Sequence, residues 1–235
     1  MDFTRALTYP FDDPDWMTKL GIGFGIAILL FIPIIGSIPA GILFAGWSLE
    51  IAKRVRNGDP MPLPSWDFGT LFGKGLNVFI AYIVYQIPTL ILACLIFLPS
   101  ILGGAAAGSS NDSGTASALG SMGGFASLCC SCVLILYLIA SLVVLFGGYV
   151  RYLETEQLNT FFQFGDNIAI IRNNAGDFGM AVLYIIGGAF VIGLLGIIPL
   201  IGTLAAVPLQ QAYFGHLLGQ LATKLHAGAA AAPAV

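Results

Sequence analysis

Two ionisable residues stand inside long apolar runs, Glu50 in GWSLEIAK and His216 in QQAYFGHLLGQ, and any chemistry would begin there. A carboxylate beside an imidazole can hold or pass a proton. An ionisable group near the centre of a membrane helix costs about 2.5–3.5 kcal/mol, so each asks for a partner. The two residues lie 166 positions apart, and the same offset relates IPIIGSI at Ile32–Ile38 to IPLIGTL at Ile198–Leu204. Equivalent residues of two parallel repeats can face each other across an axis along the membrane normal. The expectation is therefore a Glu50–His216 pair. The plainer alternative has Glu50 reaching water near Lys53 and Arg54, and His216 hydrogen-bonding a backbone carbonyl. His216 is also a candidate axial ligand for haem or a chlorophyll-type pigment; no other cofactor is predicted, and bound lipid is expected.

The remaining chemical candidates are weaker. Cys129 and Cys132 in CCSC have C-x-x-C spacing, and Cys130 and Cys94 lie in apolar surroundings too. With no second ligand cluster to complete a metal site, small polarisable packing residues are the expected reading. Gly73–Gly75 reads GKG but lacks the other glycine and the hydroxyl of a phosphate loop. There is no H-E-x-x-H and no G-x-S-x-G. The chain is expected not to be an enzyme. Asn77, Gln86, Gln210 and Gln211 are expected to hydrogen-bond between helices.

The elements that would position these residues are all helical. Five apolar blocks stand out: Leu20–Ala52, Leu76–Leu102, Leu119–Val150, Gly179–Val207 and Pro208–Leu225. A bilayer core of about 30 Å takes about 20 helical residues. The first block is too long for one span and suits a helix–turn–helix hairpin. Pro33 removes a backbone donor and Gly36 accepts unusual angles; Pro199 and Gly202 repeat the pair. The last two blocks then form a second hairpin. The fold class predicted is an all-α polytopic transmembrane bundle of about six spans, with the two Pro-x-x-Gly hairpins as a pseudo-repeat.

Charge placement supports this layout. With two hairpins and two single spans, all nine Lys and Arg residues fall on one side, as the positive-inside rule asks. Both termini are then cytoplasmic. A rival layout breaks Leu76–Leu102 at Pro88 into a further hairpin, but Ile91 stands where the turn glycine should be. A single helix through Pro88 is preferred. Asp15, Asp67 and Asp177 precede apolar blocks as candidate N-caps, and Trp16, Trp66 and Phe178 are expected as interfacial anchors.

Residues 1–19 read as a cytoplasmic segment and 20–225 as one transmembrane domain. Residues 103–122, rich in Gly, Ser and Ala, read as an external loop. Residues 156–174 suggest an amphipathic helix on the cytoplasmic interface, and 226–235 a disordered tail.

Composition agrees on the solvent. The chain is 57% hydrophobic and 9% charged, with a mean hydropathy of +0.91, against roughly 25% charged residues in soluble domains. A net charge of −3 argues against nucleic acid as a partner. The motifs YPFDDPDW, IPIIG, AKRVRNG and LPSWDFGTLFGKG, taken in order, resemble a family of prokaryotic integral membrane proteins defined by a domain of unknown function. The likeness runs from about Tyr9 to Leu225 and is most specific over Tyr9–Gly75. It implies a prokaryotic cytoplasmic membrane and no particular activity.

Three functional readings follow. The first is a non-catalytic accessory or scaffold subunit that packs against other membrane subunits through glycine-rich helices. The others are a small-solute or lipid transporter or channel, and a membrane-shaping hairpin protein.

Overall fold

The computed structural model describes residues 1–109 and 113–231. Eight α-helices make up the described chain: α1 (Phe3–Thr8), α2 (Trp16–Ile28), α3 (Ser37–Arg56), α4 (Phe68–Ser109), α5 (Ser113–Thr155), α6 (Phe164–Asn173), α7 (Ala175–Gly193) and α8 (Ile201–Ala231). Short 3-10 turns extend α2 and α7 and precede α6, and no strand occurs among the described residues. The chain divides into two compact units, residues 1–81 with 147–235, and residues 82–146.

The turns after α2 and α7 share a backbone conformation and four hydrogen bonds. Ile34 and Leu200, 166 positions apart, both take the left-handed conformation at φ 64°. Ile32 N–H donates to Leu29 O at 3.0 Å and Gly36 N–H to Ile32 O at 3.2 Å; Ile198 to Leu195 O and Gly202 to Ile198 O, each at 3.0 Å, are the counterparts. The glycines serve a purpose other than the one their type suggests. Gly36 is right-handed at φ −96°, and neither Gly36 nor Gly202 has positive φ. A Cβ there would run into the carbonyl oxygen of Leu29 or Leu195. Glycine supplies room, while a bulky apolar residue carries the strained angle at a cost of roughly 1–2 kcal/mol.

The larger unit is built on close backbone crossings. A Cβ on Gly46 would meet the Leu71 carbonyl, and one on Gly75 would meet the Ile42 carbonyl, so α3 and α4 run antiparallel in near contact. Gly215 lies on Ser48 and Gly219 on Ala52. This small-xxx-small match sets α3 and α8 parallel and in register. α7 runs antiparallel to α8, with Gly188 against Tyr213. Apolar clusters among the described residues fill the gaps, around Trp47 and Leu20, around Tyr213 and Leu217, and around Phe44 and Ala27.

Residues 1–19 are a folded part of this unit. Phe3 packs edge-on against Tyr184 and Tyr213, and Tyr9 stacks on His216. The segment Phe3–Asp12 is bent by 102° from Trp16–Phe31.

In the smaller unit α4 continues through Pro88. Proline removes one ladder donor, and the Tyr137 hydroxyl donates to the neighbouring Tyr85 carbonyl at 2.8 Å. The segment 103–122, expected as a loop, is helical on both sides of residues 110–112, which lie outside the described residues. Its alanines are the strongest helix formers, and they extend two helices already nucleated by apolar runs. Helix α8 likewise runs to Ala231, into the stretch expected as a tail; 232–235 lie outside the described residues.

Among the described residues, three stretches are long and apolar enough to cross a membrane: Phe68–Leu95, Ser131–Thr155 and Ala175–Ile197. The bent pair Phe3–Asp12 and Trp16–Phe31 would make a fourth if it is one span. The expectation of six rested on counting α3 and α8 as well. Helix α3 carries Glu50, Lys53, Arg54 and Arg56 in its final turns, and α8 is diluted by Gln210, Gln211, His216 and Gln220.

Candidate functional site

Glu50 sits four residues beyond Gly46, on the face of α3 that meets α4. Its carboxylate accepts from Lys74 Nζ at 2.6 Å and from Arg54 Nε at 3.2 Å. Lys53 pairs with Glu156, and Lys74 approaches the same carboxylate at 4.0 Å. Arg56 donates to the Leu153 carbonyl, and the Asn77 amide donates to the Tyr152 hydroxyl at 2.9 Å. One polar cluster therefore ties together the end of α3, the start of α4 and the end of α5. Lys74 and Glu50 are each about one-fifth exposed, which makes this pair stronger than a surface bridge.

Glu156, just beyond α5, takes φ 53° to enter the cluster. Its hydrogen bond from Lys53 holds the carboxyl below the ordinary glutamate range; partial burial opposes this and Lys74 reinforces it. A carboxyl depressed in the folded state contributes stability that is present above its unfolded value and lost as pH falls through the folded one. The unfolding midpoint in detergent is therefore expected to fall below the ordinary glutamate range. Glu156→Gln should remove part of that slope. The share is small because Glu156 is 45% exposed, and identical pH profiles for the two proteins would refute it.

His216 takes different partners. Its ring stacks on Tyr9 with centroids 4.3 Å apart, and its Nδ1 lies 2.9 Å from Gln220 Nε2. The Gln220 amide also bonds the backbone of Asp2, and the Tyr9 hydroxyl donates to the Ala212 carbonyl at 3.0 Å. No hydrogen bond or ion pair joins Glu50 to His216 among the described residues. Helix geometry explains the separation. The contact faces are Ser48/Ala52 and Gly215/Gly219. At about 100° per residue, Glu50 turns away from α8 and His216 turns toward the N-terminal segment.

The other singled-out residues are placed as follows. Trp66 stacks on Trp47 at 4.8 Å and donates to the Lys19 carbonyl at 2.7 Å. Trp16 packs beside the same cluster, and Phe178 is buried. Asp67 accepts from the Thr70 hydroxyl at 2.6 Å as a cap of α4, whereas Asp15 makes no capping hydrogen bond. Asp177 lies within α7, paired with Lys224. Cys94 and Cys132 are exposed thiols; the side chains of Cys129 and Cys130 lie outside the described residues. No group of three or more metal-ligating side chains occurs among the described residues.

Sequence reasoning missed two polar centres. Asp13, 3% exposed, accepts from Lys19 Nζ at 2.6 Å, and Lys19 also donates to the Leu63 carbonyl at 2.9 Å. Asn167, fully buried, donates to the Thr160 and Phe161 carbonyls at 3.1 Å and accepts from Arg151 at 3.0 Å. Gly147 and Gly148 make room for this on α5. Two apolar grooves of about 240 and 280 Å³ flank Phe11 and Leu209.

The family described as "Protein of unknown function (DUF4013)" matches residues 25–201. No curated protein and no solved structure matches. The chain belongs to that family.

Proposed function

We propose that this chain is a non-catalytic integral membrane protein acting as an accessory or scaffold subunit of a larger membrane complex. The observation that carries the reading is the fate of its charges. Ionisable side chains near several helix ends pair with one another: Glu50 with Lys74 and Arg54, Lys53 with Glu156, Lys19 with Asp13, Lys224 with Asp177, Arg151 with Asp166. They hold helix ends together and line neither apolar groove beside Phe11; Lys224 alone of them borders a wider, open cleft, with Asp2 and Gln220. Meanwhile residues 82–146 present Leu90, Ile91, Leu136 and Leu142 outward, each more than half exposed. In a bilayer such faces meet acyl chains or the helices of a partner, where dispersion contacts drive association.

The topology proposed has six membrane-embedded arms: two Pro-x-x-Gly hairpins, α2–α3 and α7–α8, related as a pseudo-repeat, and the single helices α4 and α5. The matched turns and the parallel register of α3 on α8 support it. The basic ends then lie in the cytoplasm of a prokaryotic cell, with both termini. Membrane lipid is the partner of the exposed apolar faces that no protein helix covers.

Purification from native membranes in mild detergent is expected to yield a second membrane protein in fixed ratio. A chain recovered alone, at monomer mass and without loss of fold, would overturn the subunit role. The exposed apolar tips of both turns favour membrane shaping as the second reading, for which liposome deformation is the assay.

A further inference from the structure

We infer that both hairpins are re-entrant: the tips Ile32–Gly36 and Ile198–Gly202 end within the hydrocarbon of the bilayer and do not emerge into water on the far side. The inference rests on the membrane embedding proposed above and adds the partner of the tips, which is lipid acyl chains.

Four observations carry it. The tips are apolar and outward-facing, with Ile35 82% and Ile34 71% exposed in one, and Leu200 62% and Ile201 63% in the other. No Asp, Glu, Lys or Arg occurs between Lys19 and Glu50, or between Asp177 and Lys224. Turns that face water place Gly or Asn at left-handed positions; here Ile34 and Leu200 carry that angle at φ 64°. An apolar side chain is kept where a polar one would fit more easily.

The third observation is hydrogen bonding, which a lipid environment makes compulsory. Pro33 has no N–H. Every other donor through the first tip is bonded within it: Ile32 to Leu29 O, Ile34 to Ser37 Oγ, Ile35 to Pro33 O, Gly36 and Ser37 to Ile32 O, and Ile38 to Ile34 O. In the second tip Ile198, Ile201, Gly202 and Leu204 repeat four of these backbone bonds.

The fourth is length. In the second hairpin the arm Ala175–Ile197 is long enough to cross, and the register of α8 on α3 fixes the level of its tip; in the first, fifteen positions separate Ile34 from Lys19 and sixteen separate it from Glu50. At 1.5 Å per residue that is about 24 Å, short of a hydrocarbon core of about 30 Å. The parallel register of Gly215 on Ser48 and Gly219 on Ala52 sets the two tips at one level.

Spin labels at Ile35→Cys and Ile201→Cys, in a chain with Cys94, Cys129, Cys130 and Cys132 replaced by Ala, test this in phosphatidylcholine–phosphatidylglycerol vesicles. Leu90→Cys serves as the lipid reference and Asn57→Cys as the aqueous one. Collisions with oxygen are expected to dominate at both tips as at Leu90, with the water-soluble nickel chelate excluded; Asn57 should show the reverse. Nickel-dominated tips beside an oxygen-dominated Leu90 would overturn re-entry while leaving the embedding intact. A nickel-dominated Leu90 would overturn both. If the cysteine-free chain does not fold, Ile35→Trp in the native chain reads the same depth. Quenching beyond wild type by lipids brominated at mid-chain supports the inference, and quenching by aqueous iodide overturns it.

Discussion

Gly46→Ala is expected to cost about 3 kcal/mol of stability, at the upper end of overpacking effects, while Gly41→Ala on the same helix costs nothing or gains a few tenths. The added methyl at position 46 has no flexible neighbour to displace, because the obstacle is the Leu71 carbonyl itself. The α3–α4 crossing must widen, and with it the Gly75–Ile42 contact one turn away. At Gly41 nothing lies within 4 Å of the new carbon, and alanine lowers the entropy cost of holding glycine in a helix. Denaturation in mixed micelles, followed by helical circular dichroism, measures both. Equal midpoints for the two variants would mean that the crossing is not a close backbone contact. Since Gly46 and Gly75 share one interface, the pair of alanines should cost less than the sum of the single changes.

How much of this was legible beforehand depended on whether a signal was local. Pro33, Gly36, Pro199 and Gly202 marked the turns, because a missing donor and a missing Cβ act within a few residues. Their roles were half-read: which residue takes the left-handed angle depends on how the flanking 3-10 turns close, and that fell to Ile34 and Leu200. Pro88 without a following glycine read as a continuing helix, and α4 does continue.

Face was harder to read than position. The 166-residue offset aligned Glu50 with His216, but their directions depend on which small residues touch. That choice, Ser48 and Ala52 against Gly215 and Gly219, is tertiary. Asp13 looked like one more acid in an acidic N-terminal segment; only Lys19 and the Leu63 carbonyl brought beside it show a buried staple. Residues 103–122 misled through composition, since Gly and Ser suggest a loop while the alanines among them favour helix once it has begun. The identity of a partner has no local signal at all, because an apolar face that meets lipid and one that meets a protein helix use the same side chains.

Lys74→Ala is expected to be the second most damaging change, at about 2 kcal/mol, less than the 3–5 kcal/mol for orphaning a fully buried charge because one-fifth of each side chain reaches solvent. Losing the ammonium leaves Glu50 with Arg54 alone, at 3.2 Å, and takes from Glu156 its second cation at 4.0 Å. The cost then lies chiefly in the carboxylates left behind. Removing both charges should therefore recover most of it: Glu50→Gln combined with Lys74→Met is expected to be closer to wild type than Lys74→Ala is. The contrast separates an ion pair that specifies how α3, α4 and α5 meet from one that merely sits on their surface. If the single variant unfolds at the wild-type midpoint, the Lys74–Glu50 pair contributes nothing measurable, and the three helix ends are held by the Gly46–Gly75 crossing and by the Arg56, Asn77 and Lys53 contacts. If instead the double variant is as unstable as the single one, the loss belongs to the packing of the Lys74 stem against its neighbours, and charge was never the reason those three ends lie together.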